Sequence, residues 1–157
     1  MALKGDRHEL ETDISFFMNE TATRGVVVSL STGGSGAAMD SSVALATVAA
    51  DASGAEPLGV LLNDMVDIDL TRQHLNWHKD EVQKGGKITI LRKGFVVTDQ
   101  ISGTPAAGDV AFLADAGAIA DSKDGTAVAI GQFLSSKDAD GYAKVSINIP
   151  MGNTATA

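Results

Sequence analysis

His74 and His78 stand four residues apart, with Asp80 and Glu81 just beyond them, and are the side chains of this sequence best suited to chemistry. Thr71 to Gln83 is rich in long polar side chains and stops at Gly85-Gly86, which suggests an amphipathic helix. On such a helix both imidazoles share one face, where a metal could bridge them. The third ligand is the difficulty. The stretch lacks the glutamate next to the first histidine that zinc hydrolases use as a base, and Asp80 or Glu81 is a poor substitute. A solvent-facing or interface loop is the better reading, and no metal or other cofactor is expected.

The remaining polar constellations fare no better. Asp67 and Asp69, two apart on a strand, fall on its wet face and read as solvated acids. Asp121-Ser122-Lys123-Asp124-Gly125 and Asp138-Ala139-Asp140-Gly141 lack the oxygen-ligand spacing of a calcium loop and read as turns between strands. Thr32-Gly33-Gly34-Ser35-Gly36 lacks the Lys-Ser/Thr ending of a phosphate-cradling loop and reads as a hairpin tip. No serine has the Gly-x-Ser-x-Gly surroundings of an esterase elbow. The sequence has no cysteine, which removes thiolate catalysis, disulfides and cysteine-based metal sites. The protein is expected not to be an enzyme.

Short β-rich runs separated by turn residues dominate the chain. Val26-Val27-Val28-Ser29-Leu30-Ser31, Val43 to Ala49, Leu58 to Leu62, Met65 to Leu70 and Asp109 to Leu113 read as strands, as do Ala118 to Ala120 and Val128 to Leu134. Lys87 to Leu91 and Gly94 to Thr98 read as a hairpin about Arg92-Lys93. Tyr142 to Ile149 alternates cleanly, with Ala143, Val145, Ile147 and Ile149 on one face and Lys144, Ser146 and Asn148 on the other. With no β-helix-β rhythm, the expected fold is mostly β, a compact barrel or sandwich-like body of short antiparallel strands over residues 25–150. Residues 71–84 are expected to be a polar insertion in it, either a loop or an amphipathic helix, and 151–157 a flexible tail. Residues 1–24 are hydrophilic except for Ile14, Phe16, Phe17 and Met18, and read as an extended arm with an apolar anchor, a packed strand or a short helix being the alternatives.

Charge narrows the partners. Twelve Lys and Arg face 20 Asp and Glu, and the net charge of −8 repels a phosphate backbone, so no nucleic-acid partner is expected. No run approaches the ~20 apolar residues that span a bilayer, and the polar N-terminus does not suit a signal peptide. The chain is expected to be made in a cytoplasm, to be soluble and to have no membrane partner.

Gly25-Val26-Val27-Val28-Ser29-Leu30, Leu58-Gly59-Val60-Leu61, Asp67 to Gln73 and Lys87 to Gly94 together resemble the head decoration (capsid cement) proteins of tailed phages. Ala107-Gly108-Asp109-Val110, Ala129 to Leu134 and Asp140 to Val145 extend the likeness, which covers residues 25 to 150 as a rhythm of glycine turns and valine-rich strands. The resemblance implies a protein that binds the outside of a mature head, bridges capsomers and resists the pressure of packaged DNA. It implies the major capsid protein as partner, a homotrimer, and a place on the outer surface of the virion. Docking then falls to Ile14, Phe16, Phe17 and Met18, and subunit packing to Trp77, Leu75 and Arg72. Another virion component, of tail or head-completion type, and a carbohydrate- or receptor-binding β module are the rival readings.

Overall fold

The computed structural model describes residues 3–32, 45–64, 68–69, 74–75 and 81–149. Fifteen strands follow one another: β1 (His8–Asp13), β2 (Phe17–Met18), β3 (Ala22–Thr23), β4 (Val27–Thr32), β5 (Leu45–Thr47), β6 (Pro57–Asp64), β7 (Ile68–Asp69), β8 (His74–Leu75), β9 (Glu81–Val82), β10 (Ile88–Thr98), β11 (Ile101–Ser102), β12 (Val110–Leu113), β13 (Ile119–Ala120), β14 (Ala129–Phe133) and β15 (Ala143–Asn148). Eleven of them form one sheet, ordered β11-β13-β12-β14-β15-β10-β6-β4-β5-β2, with β1 also paired to β10. The mostly β expectation holds.

β10 is the spine. Leu91 pairs with both Thr12 and Val60, while Phe95 pairs with both His8 and Ser146. A strand residue has one neighbour on each edge, so β1 covers one edge of β10 while β6 and β15 share the other in succession. The sheet therefore forks at β10 into two branches. An isolated bridge between Phe17 and Lys87 brings β2 back beside the start of β10, but among the described residues no closed barrel results. The sheet is also mixed, since β2 runs parallel to β5 and β11 parallel to β13.

Two apolar clusters fill the fork. The larger holds Phe133, Leu113, Ile119, Ile130, Val145 and Ile147 against Val27, Val60, Leu62 and Leu91, and the smaller gathers Met18, Ala22, Val82 and Ile88 against Val26, Val28, Leu61 and Ile90. Neighbouring residues of β4, β6 and β10 thus enter opposite clusters. That explains why Val26-Val27-Val28 and Val60-Leu61-Leu62 are continuous apolar runs without alternation: both faces of these strands are buried. Each fully buried large side chain contributes about 1.5–3 kcal/mol.

Between these runs, Ser29 is 1% exposed and its hydroxyl has no hydrogen-bond partner among the described residues. An unpaired buried hydroxyl destabilises by about 1–3 kcal/mol. Ser29→Ala is therefore expected to leave thermal stability unchanged or raise it, and a clear fall in the melting temperature would show that the hydroxyl is satisfied after all.

Three expectations need correction. The hairpin about Arg92-Lys93 is a single 11-residue strand, β10, and Gly94 serves a close approach instead of a turn: at φ 140°, a Cβ there would stand 1.9 Å from the His8 carbonyl oxygen of β1. The helix over 71–84 is absent where the structure describes it, because Leu75 pairs with Ile68, His74 with Asp69, and β9 pairs with β3. Pairing partners there override a composition that favours helix. The extended arm is woven into the sheets over its described residues, since a hydrophilic strand still pairs through its backbone N–H and C=O groups. Leu3 joins the larger cluster, β1 lies along β10, and Met18 is 1% exposed in the smaller cluster.

Candidate docking surface

The outer face of the large sheet is made of what remains once alternate residues have entered the core. On β15, burial of Ala143, Val145 and Ile147 turns Lys144, Ser146 and Asn148 outward. Strand register then decides what lies beside them. Val110, Gln132, Ser146, Phe95 and His8 form one cross-strand row over β12, β14, β15, β10 and β1. Leu134, Lys144, Val97 and Lys4 form a second, in which Leu134 N donates to Lys144 O at 2.8 Å and Lys4 N to Val97 O at 2.9 Å. Asn148, Lys93 and Glu11 form a third.

Gly131 allows β14 and β15 to pack closely enough for this platform, since a Cβ at that position would meet the Ser146 carbonyl oxygen at 1.7 Å. Phe95 is its centre. The ring stacks on His8 with centroids 5.8 Å apart and planes 17° from parallel, and Lys144 Nζ lies 4.1 Å from its centroid. Lys4 Nζ sits 4.4 Å from the centroid of Tyr142 in the same way. Exposed cation–π contacts of this kind are worth about 0.5–1 kcal/mol each and hold flexible lysines in place. Leu10, on the β1 bulge between Glu9 and Glu11, is 71% exposed. With His8, Lys93, Phe95, Ser146 and Asn148 it lines a shallow groove of about 330 Å³.

Of the residues singled out from the sequence, those that the structure describes lie elsewhere. Phe17 and Met18 form β2, hydrogen-bonded on one side to β5 and on the other to the Gly85-Gly86 turn through Met18 N to Gly86 O and Gly85 N to Met18 O, at 2.9 and 2.8 Å. Met18 is buried, whereas Ile14, Phe16 and Phe17 are half-buried. Phe16 packs on the smaller cluster, and Phe17 carries Lys87 Nζ at 5.5 Å from its ring centroid. Leu75 sits in β8 opposite Ile68. Arg72, Trp77, His78 and Asp80 lie outside the described residues, as do the glycine-rich loop over 33–36, Asp67 and the tail over 151–157.

Among the described residues, no group of three or more His, Asp or Glu could hold a metal. The acidic turns use their carboxylates on backbone. Asp138 Oδ1 accepts from Asp140 N at 3.0 Å and Tyr142 N at 2.9 Å, and Asp121 Oδ2 accepts from Thr104 N at 3.2 Å. A second shallow groove, of about 380 Å³, includes Asp115 in its lining, but Asp115 Oδ1 already accepts from Ala52 N at 2.8 Å. The signal that could have found the platform was the alternation of Tyr142 to Ile149, which names its outward residues; the rows across five strands required the strand order as well.

A doubly packed β core with self-closed acidic turns and a shallow, aromatic-centred outer face describes a structural β protein. The chain belongs to the structural cement protein family of phages (E217 gp24/Pam3 gp6), whose family model matches residues 4–148. That family assigns it a capsid-cement role in the virion. A search of curated proteins finds no match to this chain.

Proposed function

We propose that the protein binds the outer surface of the mature phage head, bridges capsomers, and stabilises the shell against the pressure of packaged DNA. The observation that carries this reading is the match of residues 4–148 to the cement family, which spans almost the whole described fold. The mechanism is mass action on a lattice. A ligand that binds only the assembled state, present at 100 times its Kd, stabilises each site by about 2.7 kcal/mol, and many sites act together. The partner is the major capsid protein, and the protein acts as a homotrimer with Leu75, Trp77 and Arg72 at the subunit contact. Half-buried Ile14, Phe16 and Phe17 contribute apolar contact, with Met18 packed behind them.

The test mixes the protein with undecorated heads assembled from the major capsid protein of the same phage. Saturable co-sedimentation is expected, and DNA-filled heads carrying the protein are expected to release DNA at a higher temperature than bare heads. Heads that pellet alone, with all of the protein left in the supernatant, would overturn the reading.

A further inference from the structure

We infer that the outer face of β1, β10, β15, β14 and β12 is the principal docking platform, and that its occupant is an acidic segment of the shell protein carrying apolar side chains. The inference rests on the cement reading above and names the chemistry of its contact.

Two independent observations converge on this face. The first is apolar exposure. The large hydrophobic side chains left exposed among the described residues are Leu10 at 71%, Val110 at 47% and Leu134 at 44%. All three belong to it: Val110 ends the first row, Leu134 opens the second, and Leu10 rides on the β1 bulge beside His8 and Phe95. Single exposed apolar residues are ordinary, but their gathering on one face around a half-buried aromatic ring marks a contact surface.

The second is charge. The chain carries 20 acids against 12 Lys and Arg, yet the three rows contain Lys4, Lys144 and Lys93 and one carboxylate. That carboxylate, Glu11, lies 3.8 Å from both Arg92 Nε and Lys93 Nζ. Lys4 and Lys144 face aromatic rings and have no carboxylate partner among the described residues. A net-negative protein that keeps one face positive and partly apolar is complementary to an acidic partner, and the match steers binding while suppressing wrong partners. A second copy docked face to face would bring two net-positive faces together. Complementarity therefore favours the shell protein over self-association through this face.

The test uses full-length protein and the same undecorated heads, with Leu134→Glu, Val110→Glu, Lys144→Gln and, as a control off the platform, Asp124→Lys. All four positions are exposed or lie on the outer face, and unchanged melting temperatures confirm the fold. The three platform variants are expected to bind heads about tenfold more weakly each, with Asp124→Lys unchanged. Added salt is expected to weaken wild-type binding more steeply than that of Lys144→Gln. Wild-type affinity in all three platform variants would overturn the platform while leaving the cement reading intact; failure of the wild-type protein itself to bind would sink both. Loss of self-association by the variants in solution, with head affinity kept, would assign the face to a second copy and overturn the inference.

Discussion

Phe133→Ala is expected to lower the unfolding free energy by about 3–5 kcal/mol, the usual cost of removing a fully buried aromatic ring. Phe133 is 0% exposed at the end of β14 and supplies the aromatic ring of the larger cluster. Its backbone ties β14 to the turn before β12, through Phe133 N to Asp109 O and Gly108 N to Phe133 O, both 2.8 Å. Alanine keeps those bonds, so the loss isolates packing. Because β4, β6 and β10 contribute to both clusters, weakening one branch weakens the other, and the whole fold is expected to melt as one cooperative unit. Urea titration followed by far-ultraviolet circular dichroism, and by the amide NMR signals of β6 and β14, checks both statements. The midpoint should fall with little change in slope, and the two probes should coincide. A loss below about 1 kcal/mol would mean that the cluster collapses around the deletion and does not depend on the ring.

The strands were legible where one face meets the core and the other meets water. Ala143, Val145, Ile147 and Ile149 are buried as their alternation requires. The runs at Val26 and Leu58 also declared themselves as strands, because β-branched and aliphatic residues bounded by turn chemistry suit a pleated, buried surface. What the sequence did not disclose is long-range. Arg92-Lys93-Gly94 looks like a turn because glycine next to charged residues usually is one; here glycine is needed because another strand passes within a Cβ radius of it. Nothing local announces that strand. The N-terminal segment misled for a related reason: β1 is exposed along nearly its whole length and holds on through its backbone, so its side chains carry no sign of pairing.

Met18 marks the boundary of what an apolar cluster says by itself. Ile14, Phe16, Phe17 and Met18 look alike as a knot on a hydrophilic background, and hydrophobicity alone does not say whether a knot faces its own core or a partner. The fold sends Met18 inward, with Phe16 packed beside it, and leaves Leu10, Val110 and Leu134 outside. These three are far apart in the sequence and come together only through the order β12-β14-β15-β10-β1. A contact surface assembled from five strands has no contiguous motif, in contrast to a catalytic loop.

Gly94→Ala separates the platform from the body that carries it. A methyl group at this position would collide with the His8 carbonyl oxygen, and the φ of 140° is itself disfavoured for alanine. The expected local cost is about 2–3 kcal/mol. The least expensive relief is for β1 to lift from β10, since its residues are almost all exposed and little core is lost. Its attachments are then lost together: the His8–Phe95 stack and the approach of Glu11 to Arg92 and Lys93. Amide hydrogen exchange is expected to show residues 8–13 losing protection, while 143–148, which pair with the other edge of β10, keep theirs. Head binding should fall further than for any single platform variant, because Leu10 and His8 leave with the strand. Protection of 8–13 equal to that of the wild-type protein would show that β10 yields instead of β1, and that the strand is a fixed part of the body.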